Sequence, residues 1–159
     1  MVSKPLPKRR VEKERMPGLT EEERAKLQSA ASQLNSYELQ AEALRQQLSS
    51  LTRTLSEHSV TLETLRAMKG LQPDTETLVS IGSGCHVFAK LKADGKVLYG
   101  VGAGVMLEKS MDEAISLLEG RMKDLQDAME KTRAELEKVT AEAEKLRPEL
   151  EKLLEKARG

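Results

Sequence analysis

The sequence predicts an α+β fold, mainly α: two long helices folded back on each other as an antiparallel coiled coil, joined by two central β-hairpins built to assemble with other chains. Three observations predict it. Apolar residues recur in unbroken steps of three and four along both flanks of the chain. Residues 71–109 switch to short β-branched runs punctuated by glycine. Aromatic residues are almost absent.

Composition sets the bounds. The 159 residues include no Trp, one Phe (Phe88) and two Tyr (Tyr37 and Tyr99), while charged residues make up 33%. That is the makeup of coiled coils and solvated helices rather than of a thick-cored globule. A single cysteine, Cys85, excludes an intrachain disulfide and a cysteine-rich metal site, and it fits a reducing compartment. No apolar run approaches the roughly 20 residues that span a bilayer, and the start lacks a signal-peptide stretch. A soluble, cytoplasmic protein without a membrane partner is predicted.

Residues 1–19 hold Pro5, Pro7, Pro17 and Gly18 among basic residues without a sustained period, and read as a flexible arm. Residues 1–18 carry Lys4, Lys8, Arg9, Arg10, Lys13 and Arg15 against Glu12 and Glu14, a net charge of +4. Such an arm is either a solvated terminus or a contact for acidic protein, nucleic acid or a membrane surface. It has no aromatic residue on which single-stranded nucleic acid could stack, so nucleic acid is not an expected partner.

Helix 1 is predicted over 20–70. Thr20-Glu21-Glu22-Glu23 is a capping box, with three carboxylates at the positive end of the helix dipole. Its seam runs Leu27, Ala30, Leu34, Tyr37, Ala41, Leu44, Leu48, Leu51, Leu55, His58, Leu62 and Leu65, the heptad spacing of a left-handed coiled coil. Gly70 is expected to end the helix in a left-handed conformation, with Pro73 beyond. About 50 residues at 1.5 Å each make a rod on the order of 75 Å.

Helix 2 is predicted over 110–158. It opens on a second capping box, Ser110-Met111-Asp112-Glu113. Its seam is Ile115, Leu118, Met122, Leu125, Met129, Thr132, Leu136, Val139, Ala143, Leu146, Leu150, Leu153 and Ala157. Pro148 falls outside the seam and should bend or loosen the final turns. An antiparallel register that sets Leu65 beside Ile115 places large residues opposite small ones at several layers, Tyr37 with Ala143 among them.

Residues 71–109 are predicted to form four strands near 78–81, 86–91, 96–101 and 105–108. Turn signals separate them at Gly82-Ser83-Gly84, Asp94-Gly95 and Gly102-Ala103-Gly104, and Asp94-Gly95 is a strong two-residue hairpin signal. Apolar groups point to both faces. Strands this short have too little core to stand alone, so the segment reads as an oligomerisation platform. The residues chosen for assembly are Val79, Ile81, Val87, Phe88, Leu98, Tyr99, Val101, Val105 and Leu107.

Catalytic chemistry finds little support. His58 sits in the seam and reads as a tolerated polar layer. Cys85 and His86 are strand neighbours that point to opposite faces. Gly100-Val101-Gly102-Ala103-Gly104 fails the dinucleotide fingerprint, because position 105 is Val and the helix opens only near Ser110. No catalytic residue, cofactor or metal is predicted. Near the free ends of the two helices, Leu27, Ala31, Leu34, Leu150, Leu153, Leu154 and Ala157 are candidates for weak contact with exposed apolar segments of other proteins, with simple end-fraying as the alternative.

The order helix, paired hairpins, helix, together with Leu78-Val79-Ser80-Ile81-Gly82-Ser83-Gly84, Tyr99-Gly100-Val101-Gly102-Ala103-Gly104 and the stretch from Leu107 to Ile115, resembles the alpha-class subunit of prefoldin, most of all its archaeal form. The resemblance covers about residues 20–158. It implies a hexamer of two alpha and four beta subunits around a β-barrel, which holds unfolded client proteins at its coiled-coil tips without ATP and delivers them to a group II chaperonin. Two rivals fit the same pattern: a homo-oligomeric or filamentous prefoldin relative, and a structural coiled-coil protein with a nucleic-acid-binding arm.

Overall fold

The computed structural model describes residues 18–92 and 94–158. The basic arm predicted over 1–19 therefore lies outside the described residues, except for Gly18 and Leu19. Two 48-residue helices, α1 (Glu21–Met68) and α2 (Met111–Arg158), flank four strands: β1 (Thr75–Gly82), β2 (Cys85–Leu91), β3 (Lys96–Gly102) and β4 (Val105–Ser110). The chain divides into two units. One holds the residues up to Glu42 with those from Glu137 onward, and the other holds Ala43–Leu136.

Both helices start on the capping boxes. The backbone N–H of Thr20 donates to Glu23 Oε2 at 3.0 Å, and that of Glu23 donates to Thr20 Oγ1 at 3.2 Å. Ser110 and Glu113 repeat the exchange at 3.0 and 3.2 Å. Each box satisfies two donors that the first helical turn would otherwise leave unpaired. Every predicted seam position is buried or half-buried, while most positions between them are exposed. The buried polar layer, Thr132, donates its hydroxyl to Ala128 O at 2.8 Å, so the seam carries no orphaned group there.

Within Ala43–Leu136, α1 and α2 run antiparallel: Arg66 pairs with Glu119 at 2.7 Å and Lys69 with Asp112 at 2.5 Å. Leu62 and Leu118, which the Leu65–Ile115 register sets opposite each other, are both buried. In the other unit Glu23 pairs with Lys156 at 2.5 Å and Glu38 with Arg147 at 3.2 Å, again antiparallel. The Lys69–Asp112 and Glu23–Lys156 pairs fall within one residue of the predicted register; the two arginines reach about a turn further along. Exposed ion pairs contribute little stability each, so the seam, not the charges, fixes the alignment. Pro148 is exposed, and α2 continues past it to Arg158.

The strands form two separate two-stranded antiparallel sheets, β1–β2 and β3–β4. This corrects the weight placed on Asp94-Gly95: it joins two sheets rather than closing a hairpin, and Asp94 is not among the residues with positive φ. The hairpin turns lie at Ser83-Gly84 (φ 51° and 77°) and Ala103-Gly104 (φ 48° and 76°). Two successive positive φ values make the tight primed turn whose twist matches that of the strands. The two hairpins are also a sequence repeat at an offset of 20 residues: Leu78, Ile81, Gly82 and Gly84 correspond to Leu98, Val101, Gly102 and Gly104. A second correction concerns the end of α1. Gly70 is not left-handed; the chain tightens instead through Gly70 N–H to Ala67 O at 3.3 Å and Leu71 N–H to Met68 O at 3.1 Å. The left-handed residue comes later, at Asp74 (φ 62°), whose N–H donates to Leu91 O at 2.8 Å.

Ala103 holds a conformation that costs an L-residue about 1 kcal/mol. Ala103→Gly is expected to raise the stability of the β3–β4 hairpin by an amount of that order, read as a shift in the thermal midpoint; an unchanged or lower midpoint would show that the turn is not strained there.

Candidate functional site

Register fixes what each hairpin face carries, because residues opposite each other in an antiparallel pair share a face. In β1–β2, Leu78 is opposite Phe88 and Ser80 opposite His86 on one face, while Val79 is opposite Val87 and Thr77 opposite Ala89 on the other. In β3–β4, Leu98 is opposite Glu108 and Gly100 opposite Met106 on one face, while Tyr99 is opposite Leu107 and Val97 opposite Lys109 on the other. Both faces of both hairpins therefore carry apolar side chains.

Exposure separates the faces. Phe88 is 85% exposed and Leu98 68%, the most open large apolar side chains of their hairpins. Val79, Ile81, Val87, Val101, Val105 and Leu107 are exposed as well. Tyr99 alone among the chosen assembly residues is half-buried: the Arg121 guanidinium lies 4.8 Å from its ring centroid, and its enclosed hydroxyl has no partner among the described residues. Leu78 and Met106 were missed. Both are more than half exposed. Leu78 could have been found from the repeat, since it stands where Leu98 stands.

The β3–β4 hairpin is tied to the start of α2. Met111 and Ala114 are buried, Ala114 completely, and Met111 N–H donates to Gly95 O at 2.9 Å. Lys96 Nζ meets Glu108 Oε1 at 2.7 Å across the β3–β4 pair. Lys92 holds the Asp94 carboxyl below its ordinary range, helped by the N–H of Lys96. The Lys96–Glu108 pair lies on the same face of the β3–β4 hairpin as Leu98.

The other candidate surface lies where α1 begins and α2 ends, within one unit. Ala31 is exposed; Leu34, Leu150, Leu153, Leu154 and Ala157 are half-buried; Leu27 is buried. Leu27 thus serves the seam. Leu39, on the same stretch of α1, is 64% exposed. From Leu27 to Tyr37 the helix carries no charged residue, so an apolar segment laid there strips no ion of water.

One electrostatic feature fastens this end. Lys156 Nζ beside it, together with the N–H of Thr20, holds the Glu23 carboxyl at about 2, down from its ordinary 4.5. A depressed carboxylate contributes stability above its unfolded value and loses it as pH falls through its folded value. The first turns of α1 should therefore loosen between about pH 4.5 and about pH 2. Amide exchange at 24–30 followed against pH tests this: Glu23→Gln should flatten the profile, and an unaltered acid profile in that variant would assign the loss elsewhere.

Residues tested for chemistry lie apart. His86 Nδ1 is 3.1 Å from Gly84 O, and Cys85 is exposed at the turn. His58 lines a shallow hollow with Thr54, Arg121, Asp124 and Leu125. Among the described residues no group of three His, Cys, Asp or Glu side chains is placed to hold a metal, and no helix is long and apolar enough to cross a membrane.

Two heptad helices bound to a pair of hairpins that are apolar on both sides define a class, the coiled-coil hairpin subunit. The family described as prefoldin subunit matches residues 37–156. Among similar proteins, the prefoldin subunit alpha of Methanocorpusculum labreanum is 38% identical over 97 residues, which cover 61% of this chain and 65% of that protein. The prefoldin subunit alpha of Archaeoglobus fulgidus is 33% identical over 58% of this chain and 67% of its own length, and prefoldin subunit alpha 1 of Thermococcus kodakarensis 35% over 65% and 70%. Among solved structures, the filamentous PFD of Methanocaldococcus jannaschii superposes with a TM-score of 0.67 at 27% identity, over 75% of this chain and 98% of that one. The prefoldin beta subunit from Thermococcus strain KS-1 shares the fold, with a TM-score of 0.51 at 16% identity over 80% and 90%. The chain belongs to the prefoldin family, and within it to the archaeal alpha class. The match spans 65% of the length of the Methanocorpusculum relative.

Proposed function

We propose that this chain is a chaperone subunit that assembles through its hairpins with a second alpha copy and with prefoldin beta subunits, and holds unfolded polypeptide at its helix ends without ATP. The observation that carries the reading is the exposure of apolar side chains on both faces of two hairpins, neither of which pairs with a third strand among the described residues. Unpaired short hairpins are marginal in water, and burial against other subunits is the economical way to cover them. With the archaeal alpha subunits as relatives, the assembly is an alpha-two, beta-four hexamer, and the held client passes to a group II chaperonin. The role is binding, not catalysis, and the setting is the cytoplasm.

Physically the capture works by number. Each helix end offers a few small apolar side chains, so one contact is weak; several ends fixed to one platform raise the effective concentration of each next contact. Weak single contacts also permit release one end at a time. The test is reconstitution with archaeal beta subunit: a defined hetero-oligomer that suppresses aggregation of a chemically unfolded client without nucleotide is expected, and an assembled complex that suppresses nothing would contradict the reading. The similarity to filamentous PFD favours one alternative, self-assembly of this chain alone through the same strands. Sedimentation of the chain without beta subunit separates the two: a discrete small oligomer fits the hexamer, and an open ladder of sizes fits filaments.

A further inference from the structure

Leu19 lies outside the heptad seam, yet it is buried. It stands one residue ahead of the Thr20 cap, where an apolar side chain often packs back onto the fourth residue of its own helix. In α1 that residue is Arg24, so the helix offers no apolar partner at that position. Leu19 is nevertheless only 7% exposed. The backbone shows which element lies beside it. Gly18 has φ 119°, and a Cβ placed on it would come within 2.6 Å of the Lys156 carbonyl oxygen. Only glycine permits both that conformation and that approach. Consecutive Cα atoms are about 3.8 Å apart, so Leu19 follows within one residue of the end of α2. The last turns there carry Leu153, Leu154 and Ala157, all half-buried, and Glu23 pairs with Lys156 at the same junction. All of these residues belong to one unit.

We propose that Leu19 is an internal stand-in for client: it sits in the apolar seat at the end of α2 that an aliphatic side chain of an unfolded polypeptide takes, and client enters by displacing it. This rests on the chaperone reading above. The chemistry of the occupant follows from Leu19 itself. A seat that hides a leucine beside Leu153, Leu154 and Ala157 fits Leu, Ile, Val or Met, and rejects a charged side chain, which would lose its water there. The latch is fastened by one leucine, one crossing that glycine permits, and one ion pair open to solvent, which contributes little. A leucine from a client therefore returns about what Leu19 gives up. Binding to a closed seat is weakened in proportion to the fraction of seats that stand open, and covering one leucine closes the seat by about tenfold or more. Folded proteins expose apolar residues singly. An unfolded chain presents several at once and can engage several ends together. The latch thus turns away single contacts and admits chains that offer many.

The test places a thiol at the latch: Leu19→Cys, in a chain whose exposed Cys85 is replaced (Cys85→Ser), assembled with a cysteine-free beta subunit. Alkylation by iodoacetamide is followed without client and with a chemically unfolded client in excess. Client is expected to speed alkylation about tenfold. An unchanged rate would overturn the proposal, and so would a slower one, because client would then cover Leu19 instead of replacing it. Two further variants release the latch in different ways. Leu19→Ser removes the plug, and Gly18→Ala forbids the crossing while leaving Leu19 and the capping box in place. Both are expected to lower the amount of complex needed for half-suppression of client aggregation by about twofold to threefold, less than the full effect on one seat because only the alpha ends carry the latch. An unchanged or raised amount in both, with helix content retained by circular dichroism, would assign Leu19 to holding the helix ends together and overturn the proposal. Should either variant lose helix content, the thiol measurement decides alone. Unaltered complex that suppresses no aggregation would instead overturn the chaperone reading on which the proposal stands.

Discussion

Replacing Phe88 and Leu98 by serine is expected to leave the two helices intact and to abolish assembly with prefoldin partners. The two side chains are 85% and 68% exposed in the isolated subunit, so the substitutions remove almost no contact within the chain. If the partners bury them, each contributes about 1.5–3 kcal/mol. The pair together then weakens each interface by about 3–6 kcal/mol, which corresponds to about a hundredfold or more in dissociation constant. The readout is mass by sedimentation or native mass spectrometry at micromolar protein, with circular dichroism as a check that helix content is retained. A complex that survives the double substitution would show that the open faces of the hairpins are not the interface.

The second large effect concerns the helix ends. Ala31→Glu with Leu154→Glu puts two carboxylates among the client-contact candidates while sparing the seam, since Ala31 is exposed and Leu154 lies outside the heptad positions. The assembled complex should form normally and lose most of its suppression of client aggregation. An apolar segment would have to strip water from a charge to bind there, at a cost that exceeds what a few small side chains return. Because several ends act together, the loss should be steeper than tenfold when every alpha and beta subunit is altered in the same way, and milder when only alpha is. Undiminished suppression by the fully altered complex would move the client site elsewhere on the molecule.

Much of this architecture was legible before any coordinates. The seam was, residue by residue, because a heptad period depends only on spacing along one helix: positions from Leu27 to Leu65 and from Ile115 to Ala157 are all buried or half-buried. The capping boxes were legible for the same reason, since Thr20 with Glu23 and Ser110 with Glu113 are local. Strand pairing was harder. Asp94-Gly95 is a stronger dipeptide signal than Ser83-Gly84 or Ala103-Gly104, yet the latter two close the hairpins. A pairing choice is set by the register of whole strands, and there the preceding Gly82 and Gly102 decide. Gly70 misled similarly: the chain can tighten with three-residue hydrogen bonds instead of turning left-handed. Exposure on the hairpins could be expected but not ranked, because which apolar face α2 covers depends on where Arg121 falls over Tyr99. The close approach of Gly18 to the Lys156 carbonyl oxygen required the fold outright, as it brings together residues far apart in the sequence.

The central claim is that the hairpins of this chain are covered only by other subunits. Hydrogen exchange of β1–β4 backbone amides, measured on the chain at high dilution and again in complex with beta subunit, tests it most directly. Strong protection of 78–88 and 98–108 that appears only on assembly is predicted. Equal protection in a verified monomer would mean that the strands are stable by themselves, and the account would fail.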